Sequence, residues 1–145
     1  MLFRSFQYRG ADVRASLAAL RGEKGDPHEG VTLEFVDPTN GEPVFPTLTY
    51  GAQLLRAGEE TALKRETSST VYVAMEGRGK TEVAGKTFDW EENDIFVIPN
   101  FLWRRHVAAA KDAVLYTMSD RPLLEKIGQY RAQGMAGGKV AQIVP

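Results

Sequence analysis

Between Val31 and Ser119 the chain is a succession of short apolar runs, each closed by glycine, proline or an acidic cluster. That punctuation constrains its fold more than any other feature. VTLEFV alternates, with Val31, Leu33 and Phe35 on one face, and DPTNGEP turns the chain at Asn40-Gly41. The runs TLTYGAQLLRAG, VYVAMEG, KTEVAG, KTFDW, DIFVIP, WRRHVAA and AVLYTMS follow, separated at Gly58, Gly77, Gly85 and the acidic turn Glu91 to Asp94. Many short strands at close, regular spacing predict an all-β antiparallel sandwich or barrel rather than an α/β fold.

The flanks read differently. The N-terminal LFRSFQY carries Phe3, Phe6 and Tyr8, expected to dock on the barrel or on a partner, and Asp12 is expected to cap a short helix in VRASLAALRG. Val13, Leu17 and Leu20 line one face of that helix. GEKGDPHEG reads as a loop with a solvated His28. After Ser119 and Asp120 a second helix is expected, with Pro122 in its first turn and Leu123, Leu124 and Ile127 facing inward. The glycine-rich tail after Gln133 is expected to be loosely ordered until VAQIV, which suits an edge strand or a contact with a neighbour. The resulting division is an N-terminal segment over 1–30, a barrel over 31–118, and a helix with tail over 119–145.

At 145 residues, with 43% hydrophobic and 26% charged content, the chain suits one globular domain with a single core. A net charge of -1 and no clustered basic run argue against a nucleic-acid partner. No cysteine is present, which removes disulfides, thiolate metal sites and a cysteine nucleophile. Arg4, Arg9, Asp12 and Arg14 interrupt any signal-peptide core, and no apolar run reaches the length of a membrane span, so a cytoplasmic location is expected.

The spacing from Gly58 onward resembles the first signature of the cupin barrels, in which glycines bracket two histidines and a glutamate. Gly58 is followed after five residues by Lys64, then by Glu66, by Thr70 and, after six more, by Gly77. The second signature ends a strand with a proline and places a third histidine five positions on. Here Pro99 closes DIFVIP, Arg104 holds that position and His106 lies two further. The resemblance therefore implies a single cupin (double-stranded β-helix, or jelly-roll) barrel with a helix before and after it. All four ligand positions are changed. Lys and Arg carry no lone pair for a metal at neutral pH.

YGAQLLRAG, EGRGKTEV, FDWEENDIFVIPNFLWRRH and SDRPLLEKIGQYR together resemble the C-terminal cupin half of gentisate 1,2-dioxygenases and their 1-hydroxy-2-naphthoate and salicylate relatives, over roughly Phe6 to Gln133. The resemblance implies two-cupin enzymes that open the ring of a hydroxylated aromatic acid with oxygen, using Fe(II) held by three histidines in the N-terminal cupin. The C-terminal cupin of that family serves in packing and assembly. Two readings stand for this chain. One is a non-catalytic binding or assembly module with no cofactor of its own; the other is an active dioxygenase using Fe(II). A homo-oligomer, dimer or larger, is expected from the exposed aromatics and the VAQIV tail.

Strand alternation turns Lys64, Glu66, Arg104 and His106 into the barrel together, with Thr70 and Tyr72 adding hydroxyls, while Arg65, Trp103 and Arg105 point out. Two cations sharing one carboxylate leave a net positive pocket. That pocket is either filled by its own ion pairs or open to a small aromatic carboxylate, gripped by Arg104. Glu66 and His106 alone provide at most two metal donors, so no metal site is expected. EGRGK reads as a hairpin turn rather than a phosphate loop. Phe88 and Phe96 read as core, and Phe101 and Trp103 as an outer face.

Overall fold

The computed structural model describes residues 6–143. Phe3, expected at a contact surface, and Val144 of the tail lie outside them. Helix α1 (Gly10–Leu20) is followed by β1 (Val31–Phe35), β2 (Thr49–Leu55), β3 (Lys64–Glu66), β4 (Thr70–Glu76), β5 (Arg78–Val83), β6 (Lys86–Glu91), β7 (Ile95–Ile98), β8 (Arg104–Ala108) and β9 (Ala113–Ser119). Then come α2 (Arg121–Lys126), β10 (Ala132–Ala136) and β11 (Lys139–Ile143). The strands form two antiparallel sheets, one of order β1-β2-β9-β4-β7 and one of order β11-β10-β3-β8-β5-β6. The strand punctuation predicts the antiparallel β architecture, and the two sheets form the jelly-roll barrel that the cupin resemblance implies. No described helix is long and apolar enough to cross a membrane.

The inner faces meet in two chemically distinct halves. One half is apolar: Leu55, Tyr72, Ala74, Ile98, Ala113 and Leu115 of the first sheet pack against Trp90 and Ala108 of the second, with Val83, Phe88 and Phe96 beside them. Burying each large apolar side chain there contributes about 1.5–3 kcal/mol. The other half holds the charged side chains of β3 and β8. A second cluster lies outside the first sheet, where Val13 and Leu17 of α1 cover Val31, Ala52, Leu54 and Val114. Beside it, Tyr8 of the N-terminal segment stacks on Phe35. Further across the same outer face, Ile95 and Val97 of the edge strand β7 are exposed, beside half-buried Val71, Val73 and Met118.

Several local expectations are corrected. Asp12 does not cap α1; the helix begins at Gly10, and the Asp12 carboxylate accepts a hydrogen bond from Arg9 Nε at 3.0 Å within the first turn. A carboxylate there still suits the helix dipole. Leu123 and Ile127 are exposed rather than inward, because α2 lasts only six residues and its buried side is Pro122. EGRGK is not a hairpin: β4 pairs with β7 and β9, whereas β5 pairs with β6 and β8, so Gly77 carries the chain from one sheet to the other. Its φ of 74° suits that corner.

The tail is ordered where looseness was expected. Residues of β10 pair with β3 on one side and with β11 on the other, across a two-residue turn at Gly137 and Gly138, both at positive φ. Gly134 is needed for packing: a Cβ at that position would stand 2.5 Å from the His28 ring. His28 is accordingly half-buried under β10 rather than solvated, and its Nδ1 is buried without a partner. VAQI does form an edge strand, as expected.

Candidate functional site

Lys64 and Glu66 sit two apart on β3, so both face inward, and Lys64 pairs in register with Arg104 on β8. His106 follows two residues on and also faces in; Arg65 and Arg105 face out. On that outer side the Arg65 guanidinium lies 4.3 Å from the Phe101 ring centroid and 4.6 Å from that of Trp103, a cation–π sandwich.

The inward groups form a closed network. Glu66 Oε1 accepts from Arg104 Nη2 at 3.0 Å, and Glu66 Oε2 accepts from the Tyr130 hydroxyl at 2.8 Å with Lys64 Nζ at 3.6 Å. A second carboxylate, which sequence reasoning missed, completes it: Glu29 Oε1 accepts from Lys64 Nζ at 2.6 Å and from Arg104 Nη2 at 2.7 Å. Two cations therefore face two anions. The net positive pocket expected from strand parity is corrected to a neutral one, and with it goes the electrostatic basis for an aromatic carboxylate ligand.

Burial alone would push the Glu29 carboxyl up, yet the charges of Arg104 and Lys64 outweigh it and hold Glu29 far below the usual carboxylate range. For Arg104, burial acts to lower the pKa, but Glu29 and Glu66 keep the guanidinium firmly charged. Burial raises the Tyr72 phenol well above its ordinary value, so it is a hydroxyl at every working pH.

His106 stands apart from the network. Trp90 Nε1 donates to Thr81 Oγ1 at 2.9 Å, and Thr81 Oγ1 lies 2.8 Å from His106 Nδ1. Indole is donor-only, so Thr81 Oγ1 accepts from Trp90, and its contact with His106 Nδ1 runs in the direction that the imidazole tautomer sets, while Nε2 is buried without a partner. The ring is fully buried, 4.9 Å from the Tyr72 ring centroid. Burial, then the charge of Arg104, pushes its pKa down to about 3. His106 is a neutral strut in the wall.

Among the described residues no group of three or more His, Asp or Glu is arranged to hold a metal ion. The donor chemistry explains this. Lys64 and Arg104 occupy two ligand positions, both carboxylates already neutralise them, and His106, with Nδ1 engaged by Thr81, offers Nε2 as a single further donor. These residues do not fit Fe(II).

Lys64, Glu66, Thr70, Tyr72 and Arg104 line one cavity of about 200 Å³, joined by Glu29 and Gln53, while His106 is not part of that lining. Gln53 carried a readable signal, as the one polar side chain inside the apolar run GAQLL. Glu29 and Tyr130 carried none, since both lie outside the strands whose parity can be counted.

Comparison with known proteins places this geometry. No protein-family model matches the sequence. The chain is 38% identical over 140 residues to a 5-aminosalicylate 1,2-dioxygenase of Comamonas, matching 95% of this chain and 37% of that one. Its structure superposes with a TM-score of 0.81 on a salicylate 1,2-dioxygenase of Pseudoaminobacter salicylatoxidans solved with gentisate, at 31% identity, covering 89% of this chain and 37% of the other. A cupin domain of Cnp3 from Schizosaccharomyces pombe shares the fold alone, with a TM-score of 0.55 at 16% identity, covering 67% of this chain and 69% of that one. The chain thus spans little more than a third of the length of the dioxygenases it matches.

Proposed function

We propose that this chain, a cupin homologous to the gentisate-type 1,2-dioxygenases, is a non-catalytic module, equivalent to the C-terminal half of such an enzyme and acting in binding and assembly beside a catalytic cupin. The observation that carries the reading is Arg104, buried between Glu29 and Glu66 at a signature metal position. A guanidinium held by two carboxylates cannot yield its place to a divalent cation without stranding those charges, a cost of several kcal/mol.

Assembly is the other half of the reading. The outer face of the first sheet is apolar beyond the edge of α1, where Ile95 is 67% and Val97 55% exposed. Burying these side chains against a second copy of the chain supports a homo-oligomer, dimer or larger.

The test is metal analysis after dialysis against Fe(II), together with oxygen uptake on gentisate and salicylate. The expected result is substoichiometric iron and no ring cleavage. One iron per chain surviving dialysis, with oxygen consumption, would replace this reading by that of an active dioxygenase.

A further inference from the structure

Two charged side chains that line the cavity of about 200 Å³, Glu34 and Arg121, take no part in the closed network, and both are exposed. Glu34 leaves β1 on the face opposite Leu33 and Phe35, which pack on the outer cluster, so its carboxylate stands at the mouth of the barrel. Its Oε1 accepts from Thr49 Oγ1 at 2.7 Å, and its Oε2 makes no hydrogen bond among the described residues. Thr49 pairs in register with Ser119 on β9, and Arg121 follows two residues later. The rim therefore carries one acid and one base. They are not bonded to each other, because the ion pair of Arg121 is with Glu125.

Arg121 is held in place without being used up. Its Nε donates to Glu125 Oε1 at 2.6 Å, and its guanidinium lies 4.8 Å from the Tyr130 ring centroid. The two Nη groups make no hydrogen bond among the described residues, and the side chain is 44% exposed. An exposed pair one helical turn apart neutralises little, since water screens it. The free Nη edge suits the two oxygens of a carboxylate.

Charge selects the guest. The lining holds three carboxylates, Glu29, Glu34 and Glu66, and three cations, Lys64, Arg104 and Arg121. A guest of either net charge unbalances that set. The inner four already engage one another, which leaves Glu34 and Arg121 as the groups a guest can reach. One carboxylate and one ammonium on the same small molecule answer both. Cavities for drug-sized ligands are larger, about 300–1,000 Å³, so only a short side chain is accommodated.

We propose that the mouth of this cavity binds a small amino-acid zwitterion, its carboxylate on the Nη edge of Arg121 and its ammonium on Glu34 Oε2. The site rests on the non-catalytic reading in that the inner charges, not a metal, form its floor.

The experiment is calorimetric titration of the metal-free full chain at neutral pH with L-alanine, L-serine and β-alanine. Parallel titrations use N-acetyl-L-alanine, which lacks the ammonium, L-alaninamide, which lacks the carboxylate, and salicylate. Saturable binding of at least one zwitterion is expected, with each singly charged compound weaker by roughly tenfold or more, because a charge-assisted contact is lost. Glu34→Gln and Arg121→Met should each weaken the zwitterion by a similar factor while leaving the melting temperature unchanged, as befits exposed side chains. No saturable binding of any of the three zwitterions, a singly charged analogue bound as tightly, or full affinity in either folded variant would overturn the proposal. Tightly bound iron alongside intact zwitterion binding would instead overturn the non-catalytic reading alone.

Discussion

Glu29 Oε1 accepts a hydrogen bond from Arg104 Nη2 at 2.7 Å, across 75 residues of sequence. The contact joins a loop ahead of the first strand to the eighth strand, and it converts a cation-rich pocket into a balanced one. Removing one side should be costly. Glu29→Gln is expected to destabilise the protein by about 3–5 kcal/mol, because Lys64 and Arg104 are then left sharing Glu66. Adding Lys64→Met to that variant should recover part of the loss, since one cation per carboxylate is restored. Urea unfolding of the two variants checks both, and an additive or worse double variant would contradict the network.

The pH dependence has a definite sign. His106 is depressed to about 3 from an ordinary 6.5, so the unfolded chain binds the extra proton between those values. Stability from this group is complete above 6.5 and is lost as pH falls through that window. Glu29, also depressed, adds its own loss below its ordinary 4.5. The urea midpoint should therefore decline from about pH 6.5 downward. His106→Gln should flatten the upper part of that decline. In wild type, the His106 ring nitrogens should keep the pattern of a neutral ring from pH 8 to pH 5; a titration near 6.5 would refute the buried strut.

Gly79 tests the packing of the apolar half. A Cβ there would stand 2.4 Å from the Val107 carbonyl oxygen and 2.5 Å from Trp90 Cζ2, neither able to give way cheaply. Gly79→Ala should cost about 1–3 kcal/mol or more in a thermal or urea melt. Gly22→Ala, with nothing within 4 Å and no positive φ, serves as the control and should be close to neutral.

Association should depend on the uncovered sheet face. Ile95→Lys with Val97→Lys places two charges on the edge strand, outside the apolar core. Sedimentation should show the wild type as a dimer or larger and the variant as a monomer of unchanged melting temperature. A wild type that is monomeric at high micromolar concentration would remove the self-association.

Restoring the signature probes the barrel from the other side. Lys64→His, Glu66→His, Thr70→Glu and Arg104→His together should create measurable Fe(II) or Zn(II) affinity, because donors replace cations while Glu29 loses both of its partners. Calorimetric titration of the folded variant is the measurement. Absence of binding would mean that the two strands do not hold these positions in common register.

Strand parity turned Lys64, Glu66, Arg104 and His106 to one side, because a period of two residues leaves little freedom once the strands are found, yet His106 does not line the cavity that the other three share with Thr70 and Tyr72. Parity failed for Glu29, whose loop has no period, and that second carboxylate makes the pocket neutral rather than positive. The tail failed for a related reason. Gly134 and the Gly137-Gly138 pair read as looseness in isolation, yet they serve a close approach of His28 and a tight turn that only the folded partner strands reveal. Leu123 and Ile127 were placed inward by helical spacing, which a helix of six residues is too short to enforce.

Strand β3 is three residues long and is flanked by β8 on one side and by β10 on the other. Its two inward side chains are held by Glu29 and by Tyr130, which precedes β10 in the chain. A ribosome therefore releases Lys64 and Glu66 long before their sheet can close around them. Until residues 130–136 emerge, a barrel otherwise able to collapse carries an open seam beside its buried charges. The late arrival of that hairpin makes the final closing step the one that shields these charges from water and brings the Tyr130 hydroxyl to Glu66.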